Sequence, residues 1–185
     1  MTEQKENRRA KMTKLLLKTS LTELMRSKPI NRITIRELCA NADVNRSTFY
    51  LYYKDQYDLL SEIENELLRN AQTHLEKIDS DYGSIQYLEE LLSYIKNNAD
   101  IFKTLLCVQD NLLFQSAFVK VSLENLRKQL LLNCSEPILS YVHEFLLSGC
   151  LSMIKRWINA EFELSCSDMS KLIFRLADQA ISEFS

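Results

Sequence analysis

Residues 34–60 read TIRELCANADVNRSTFYLYYKDQYDLL and contain two very short helical patterns separated by a tight turn. Thr34 is a good N-cap, and Glu37 lies three residues later, which is the spacing of a capping box. The apolar residues that follow recur at i, i+3, i+4 and i+7, which predicts a two-turn helix over 35–42. Asp43 comes next, at the turn. Such turns often have a positive φ, which Asp is one of the few residues besides glycine to tolerate.

The second short helix is predicted to begin at a cap formed by Asn45, and its first residues are all polar. A supporting helix, a tight turn and a recognition helix whose first residues face the major groove make up a helix-turn-helix. Backbone N–H groups and the helix dipole at this end also favour phosphate. Arg46 is the best single candidate for reading a base, because a guanidinium can engage O6 and N7 of guanine together.

Aromatic residues divide the rest of this helix into an inner and an outer face. Phe49 and Tyr53 are four residues apart and are expected to face the small core. Tyr50 and Tyr52 project elsewhere, where their hydroxyls can reach phosphate oxygens or base edges, and Lys54 adds a point charge for the DNA backbone. The alternative is that the polar residues only cap a helix and the tyrosines only pack. Capping alone does not explain three polar side chains in a row beside an aromatic cluster.

Charge is distributed unevenly along the 185 residues. Residues 1–55 hold 12 Lys and Arg against 6 Asp and Glu, a net charge of +6, while the remainder holds 11 against 19, a net charge of −8. This asymmetry indicates that the N-terminal third meets a polyanion and that the rest has another task. Chance clustering on a solvated surface is the alternative explanation.

Glycine and proline occur only twice each, which favours long helices with short connections and an all-α fold of about nine helices. Apolar periodicity predicts a first helix over 7–26 and a fourth, capped by Asp55, from about Gln56 toward His74. Beyond a turn-rich boundary, SDYGS at 80–84, further helices are predicted over 84–98, about 112–132 and 137–159, with a short apolar segment from Ile101 to Val108. Either Ser165 or Ser167 is expected to cap the last helix.

Composition also bears on location and on chemistry. No stretch approaches the roughly 20 apolar residues of a membrane span, and the N-terminus is charged throughout. The five cysteines lie far apart without metal-ligand spacing, which suits a reducing, cytoplasmic location. With two distant histidines, no glycine-rich phosphate loop and no nucleophile elbow, the sequence predicts no enzyme, no metal site and no cofactor.

Residues 34–60 resemble the helix-turn-helix signature of the TetR/AcrR family of bacterial transcriptional regulators. Ala42-Asp43-Val44 corresponds to the family's Ala-Gly-Val turn, and the run from Thr48 to Lys54 corresponds to its Thr-Phe-Tyr-x-Tyr-Phe-Lys. Gln56 departs from a lysine that is common at this position, so one phosphate contact is in doubt. The resemblance implies contact with a double-stranded DNA operator by Thr34, Arg36, Asn45, Arg46, Ser47, Thr48, Tyr50, Tyr52 and Lys54.

The resemblance extends over nearly the full chain. It implies a three-helix DNA-binding domain over 1–55, joined by a long fourth helix to a C-terminal effector-binding and dimerisation domain over 56–185. It also implies a cavity for a small-molecule effector, which remains unidentified. The residues that could line this cavity are Tyr87, Leu91, Tyr94, Phe102, Leu106, Phe114, Phe118, His143 and Trp157. Each could equally be plain core, because aromatic residues at helical spacing usually are.

The predicted helix 137–159 is apolar over more than one face, so it is expected to cover both its own core and a second subunit. Resemblance to the family implies a homodimer in which the last two helices of each subunit form a four-helix bundle. A monomer that buries both faces internally is the alternative.

The expected function is therefore a dimeric transcriptional regulator, with repression as the expected direction. The segment ADIFKTLLCVQ (99–109) resembles one branch of the family in which some members are activators or co-regulators. The second candidate is thus a helical co-regulator of the same fold that binds a protein partner and binds DNA only weakly.

Overall fold

The computed structural model describes residues 2–75, 84–109, 111–129 and 137–181. Over these ranges the chain forms nine α-helices, one 3₁₀ turn and one π-helical segment, with no β-strand. The predicted all-α fold is confirmed. None of the helices in these ranges combines the length and the apolar character that a bilayer span requires.

Four helices begin the chain. They are α1 (Thr2–Met25), α2 (Ile35–Asn41), α3 (Arg46–Tyr50) and α4 (Gln56–Leu75), and a 3₁₀ turn (Ile30–Arg32) lies between the first two. The first helix starts five residues before the predicted position. Asp55 caps α4 as expected, because its Oδ1 accepts hydrogen bonds from the backbone N–H groups of Tyr57 and Asp58, both at 2.9 Å.

The chain divides into two compact units, Met1–Leu67 and Leu68–Ser185. Within the first unit, α1, α2, α3 and the first part of α4 bury one apolar side of each helix. Ser20 is also buried, and its hydroxyl donates to the carbonyl oxygen of Leu38 at 2.9 Å, which ties α1 to α2. The fully buried side chains of this core include Leu17, Leu21, Met25, Ile33, Leu38, Phe49 and Leu59.

The second unit contains α5 (Ser84–Asn97), α6 (Ala99–Phe102), α7 (Leu112–Gln129), α8 (Ile138–Asn159) and α9 (Cys166–Ile181). These helices agree with the predicted segments within one or a few residues. The remaining parts of two predictions, 80–83 of the turn-rich boundary and 130–132 of the α7 segment, lie outside the described residues. In this unit α9 packs mainly against α5.

The short apolar segment before α7 is a π-helix, Lys103–Val108, which the sequence pattern did not reveal. Its wider turn is closed by the N–H of Gln109, which donates to the carbonyl of Thr104 at 2.9 Å. The buried side chain of Gln115 donates to the carbonyl oxygen of Leu106 at 3.3 Å. A π-helical turn holds one extra residue. Backbone carbonyl groups that lose their ordinary α-helical hydrogen bond there need such partners.

A tight connection joins α8 to α9. Glu161 and Phe162 both have positive φ values, 53° and 61°. Trp157 stabilises this turn, because its indole N–H donates to the carbonyl of Leu164 at 2.9 Å and its ring meets Phe162 edge-on at 4.7 Å. Of the two predicted caps, Ser165 is the one used: its hydroxyl accepts from the N–H of Asp168 at 3.0 Å.

Candidate nucleic-acid interface

The supporting helix α2 is capped as the sequence predicts. The hydroxyl of Thr34 accepts a hydrogen bond from the N–H of Glu37 at 3.2 Å. The second half of the predicted capping box is wrong, because the carboxylate of Glu37 bonds to the ammonium of Lys28. A nearby cation is a stronger partner for a carboxylate than a neutral backbone N–H.

The turn after α2 has the geometry of a Schellman motif. Asp43 has a φ of 50°, the left-handed conformation expected from its position. The N–H of Val44 donates to the carbonyl of Cys39 at 2.9 Å, and the N–H of Asp43 donates to the carbonyl of Ala40 at 3.3 Å. These two bonds satisfy carbonyl groups at the helix end, so the turn sets the direction in which α3 leaves α2.

The first residues of α3 are exposed and partly committed to the helix cap. Asn45 Oδ1 accepts hydrogen bonds from both the backbone N–H and the hydroxyl of Ser47, each at 3.1 Å. Arg46 lies between these two residues, and its side chain is exposed. The cap therefore holds its own polar groups in place and presents Arg46 beside them.

The aromatic residues of the recognition segment divide as predicted. Phe49 and Tyr53 are buried, and their ring centroids lie 5.6 Å apart. Tyr50 is 59% exposed and Tyr52 is half-buried. The two buried rings anchor a helix of only five residues, so the outer tyrosines stay at the surface.

All nine residues predicted to contact DNA lie outside the core. Thr48 and Tyr52 are half-buried, and the others are exposed: Thr34, Arg36, Asn45, Arg46, Ser47, Tyr50 and Lys54. They come from the start of α2, from α3 and from the residues just after α3. The structure thus presents a surface rich in hydrogen-bonding groups and cations, as a phosphate-lined groove requires.

Two buried groups that support this surface have raised pKa values. Burial raises the pKa of the Cys39 thiol, although the positive charge of Arg46 acts in the opposite direction. Burial, together with the carboxylates of Glu62 and Asp58, also raises the pKa of Tyr53. Both groups therefore stay protonated at neutral pH and serve packing.

Sequence reasoning missed Lys14, which is on α1, far from the recognition segment in the chain. Its Nζ lies 5.8 Å from the ring centroid of Tyr52 and 5.4 Å from that of Tyr53. A contact across so many residues leaves no local signal.

The residues predicted to line an effector cavity fall into different places. Phe102 is at the centre of an aromatic cluster with ring centroids 5.8 Å from Tyr94, 6.2 Å from Phe114 and 5.3 Å from Phe118. Trp157 packs in the turn before α9, as described above. Three more, Tyr87, Leu91 and Leu106, are buried.

A groove of about 580 Å³ lies instead between α7 and α8. Of the nine predicted residues, all of which the structure describes, His143 is the one that lines it. The buried amide of Gln115 and the exposed ammonium of Lys120 also face this space. Its apolar lining comes from Leu112, Val119, Leu147 and Leu151.

A broad apolar surface runs along α8. Tyr141 is 75% exposed, Phe145 is 70% exposed, and Ile138 is about half exposed. A Cβ added at Gly149 would meet no heavy atom within 4 Å, so no residue that the structure describes requires glycine there.

Residues 84–179 match the sequence model of a TetR-type family described as the transcriptional regulator C-terminal region. The match covers more than half of the chain. This protein belongs to the TetR family. Its membership confirms the resemblance that was drawn from residues 34–60, although the match comes from the other end of the chain.

A curated relative of this TetR-family protein is the HTH-type dhaKLM operon transcriptional activator DhaS of Lactococcus lactis subsp. lactis (strain IL1403). The two are 28% identical over 116 residues, which is 62% of this chain and 58% of that protein. The alignment thus spans less than two thirds of the relative's length.

Solved structures share the fold over nearly the whole chain. A TetR transcriptional regulator from Streptococcus agalactiae 2603V has a TM-score of 0.72 and 25% identity, covering 95% of this chain and 98% of its own. The dihydroxyacetone kinase operon activator DhaS has a TM-score of 0.58 and 21% identity, covering 94% and 98%. This TetR-family protein is therefore a transcriptional regulator with the family's helical architecture.

Proposed function

We propose that this protein is a dimeric, sequence-specific DNA-binding repressor in the cytoplasm, controlled by a small-molecule effector. The observation that carries the proposal is the exposed start of α3. Arg46 stands there between the cap Asn45 and Ser47, which donates to that cap, on a helix anchored by Phe49 and Tyr53. The proposed DNA-binding domain is residues 1–55, with the effector-binding and dimerisation domain over 56–185.

We assign different roles to the nine interface residues. Arg46 reads a guanine, since it is exposed and can make two parallel hydrogen bonds to O6 and N7. Lys54, Tyr50 and Tyr52 bind phosphates and set the register of the helix on the duplex. The remaining five, Thr34, Arg36, Asn45, Ser47 and Thr48, contact DNA around the two helix N-termini, where backbone N–H groups also face outward.

The apolar surface of α8 supports a dimer through α8 and α9. Large exposed apolar patches on a protein surface mark interaction sites, and α9 adds exposed Leu172 and Leu176 to those of α8. Gly149 costs roughly 0.5–1 kcal/mol in a helix interior relative to alanine. Close approach of a partner helix explains a glycine at this position. Two recognition helices would then reach half-sites roughly 34–36 Å apart.

The groove between α7 and α8 supports effector binding in the second unit. Its apolar walls and few polar groups, His143 and Gln115 among them, are typical of small-molecule sites. An effector acts by preferring one of two dimer geometries, the one that fits the half-site spacing or the one that misses it. The helix α4 contributes residues to both units and is the proposed lever.

Fluorescence anisotropy tests the proposal. The intact protein is titrated onto a labelled duplex that covers the DNA upstream of its own coding sequence, and onto a scrambled duplex, at two salt concentrations. Binding that prefers the upstream duplex and weakens steeply with salt is expected. Equal or salt-independent binding to both would contradict the proposal and would favour the co-regulator that binds a protein partner.

Activation is the second candidate for the direction of control, because the curated relative is an activator. A reporter gene behind the bound DNA separates the two. Repression predicts higher reporter expression when the gene for this protein is deleted, and activation predicts lower expression.

A further inference from the structure

Four charged side chains link α1 to α4 beside the end of α3. Lys14 Nζ lies 3.0 Å from Glu62 Oε2, and Lys18 Nζ lies 2.9 Å from Glu62 Oε1. Lys18 also bonds to Glu66. We call these four residues the α1–α4 cluster. Glu62 is its central member, because its carboxylate bonds both lysines.

Lys14 connects this cluster to the recognition segment. Its ammonium contacts Glu62 and, at the same time, faces the rings of Tyr52 and Tyr53 at 5.8 and 5.4 Å. A cation within about 6 Å of an aromatic ring centroid is attracted to the ring. Lys14 therefore holds the residues directly after α3 against α1, and Glu62 holds Lys14.

Two members of the cluster, Glu62 and Lys18, have shifted pKa values. Burial acts to raise the pKa of Glu62, but hydrogen bonds from Lys18 and Lys14 and their positive charges outweigh it, so the pKa falls below its usual range. Burial acts to lower the pKa of Lys18, and the bonds to Glu66 and Glu62 raise it overall. The contact between Lys18 and Glu62 is therefore charge-assisted at neutral pH.

The recognition helix needs outside support because it is short. A helix of five residues is not stable alone in water, so tertiary contacts decide its direction. Phe49 fixes its inner side in the core. After its C-terminal end, Tyr53 is also buried, and the half-buried Tyr52 contacts Lys14, in a contact that depends on the position of the ammonium.

We propose that Glu62 is a positioning residue for DNA recognition, which holds Lys14 over Tyr52 and Tyr53 and so sets the orientation of the recognition helix. This inference rests on the proposed function, since it assumes that α3 reads an operator. The quantity it concerns is the preference for operator over unrelated DNA, rather than the affinity for DNA in general.

The preference for operator over scrambled DNA distinguishes a positioning role of Glu62 from a purely electrostatic one. Glu62→Gln removes a negative charge and takes away the ion-pair partner of Lys14, while Lys18 keeps Glu66, so attraction to any polyanion should rise. If Glu62 acts only through charge, operator and scrambled DNA gain affinity together. If it sets the orientation of the recognition helix, and with it the position of Arg46, the operator gains less than the scrambled duplex, and the ratio of the two affinities falls.

The experiment compares Glu62→Gln with Glu66→Gln by fluorescence anisotropy on the operator and the scrambled duplex. Both variants change the net charge by the same amount, but Glu66 bonds Lys18 and has no contact with Lys14 among the described residues. The affinity ratio is expected to fall about threefold to tenfold for Glu62→Gln. It should stay within about twofold of the wild-type value for Glu66→Gln.

Lys14→Met is the second variant and changes the net charge in the opposite direction. Its affinity for scrambled DNA should fall, while its affinity ratio falls as in Glu62→Gln. Lys14→Met also keeps the test valid if Glu62→Gln does not fold, which thermal unfolding reports. An unchanged ratio in either folded variant, or an equal drop in Glu66→Gln, would overturn the inference. A wild-type protein with no preference for its operator would instead overturn the proposed function.

Discussion

The exposed surface around α3 and the exposed surface along α8 carry opposite chemistry. Around α3 most outward side chains are polar or charged, with Arg46 and Lys54 among them, and Leu51 is the large apolar exception at 77% exposure. Along α8 they include Tyr141 and Phe145, which are among the most exposed large apolar residues in the described chain. Both surfaces stand on well-packed helices. The difference indicates that the first suits a hydrated polyanion and the second an apolar protein surface.

The two surfaces also differ in how they are held. Buried Phe49, the Schellman turn at Asp43 and the contact from Lys14 all support a helix of only five residues. The helix α8 has 22 residues, and it buries Leu146, Ile154, Trp157 and Ile158 on its inner side. A helix as short as α3 depends on contacts with neighbouring elements for its orientation. A helix as long as α8 is stabilised along its own length and by its buried side.

The largest effect is expected from removing the anchor of the α3 surface. Phe49→Ala should destabilise the protein by about 3–5 kcal/mol, because it empties a fully buried site. Urea denaturation followed by circular dichroism measures this loss. Tyr50→Ala is the matched control, since its ring is mostly exposed and its free energy of unfolding should change by less than about 0.5 kcal/mol. Similar losses for both would mean that the division into inner and outer aromatics is wrong.

The next effect concerns the α8 surface. Phe145→Lys should weaken self-association by about 2 kcal/mol or more, which is tenfold or more in the dimer Kd. Sedimentation equilibrium measures the Kd. Leu113→Lys is the control, because it places the same charge on another highly exposed apolar residue, on α7. Unchanged self-association in Phe145→Lys would remove the basis for a dimer through this face.

Arg46→Ala tests the α3 surface directly. Loss of a base-reading guanidinium should weaken operator binding by about 1–3 kcal/mol and relax the sequence preference. Lys54→Ala should weaken binding to all duplexes alike and reduce the salt slope by about 1. Anisotropy titrations with single-base operator variants separate the two outcomes. A uniform loss in Arg46→Ala would assign it to phosphate rather than to a base.

The smallest effect concerns the turn. Asp43→Gly should stabilise the protein by about 0.5–1 kcal/mol, because glycine adopts the left-handed conformation without the steric cost that Asp meets at a φ of 50°. Thermal unfolding measures the gain. A loss of stability would show that the Asp43 side chain contributes more than its backbone strain costs.

Several features of the fold could be predicted because they depend on neighbours in the chain. The caps at Thr34, Asn45 and Asp55 need only a side-chain oxygen and the N–H groups two or three residues later. The left-handed turn at Asp43 follows from the steric tolerance of its residue type. The apolar periodicity in turn predicted that Phe49 and Tyr53 would be buried, as they are.

Other features could not be predicted, because they depend on residues far apart in the chain. The rings of the aromatic cluster around Phe102 pack against each other. A groove in the second unit opens between α7 and α8. Periodicity assigns a residue to a buried face without saying which side chain meets it. The π-helix depends in the same way on Gln115 reaching the carbonyl of Leu106.

The stretch from Thr34 to Tyr53 combines features that neighbouring residues determine with one contact that they do not. Capping, the turn and the inner and outer faces of α3 follow from residues within a few positions of each other, and these already identified a helix-turn-helix. The placement of Lys14 between Glu62 and the rings of Tyr52 and Tyr53 does not follow from neighbouring residues. It joins residues from α1, from α4 and from the segment directly after α3, and only the packing of α1 and α4 brings them within reach. Adjacent residues determine short-range hydrogen bonds and the steric limits on backbone conformation. Charge and ring contacts across helices arise only when the core is formed.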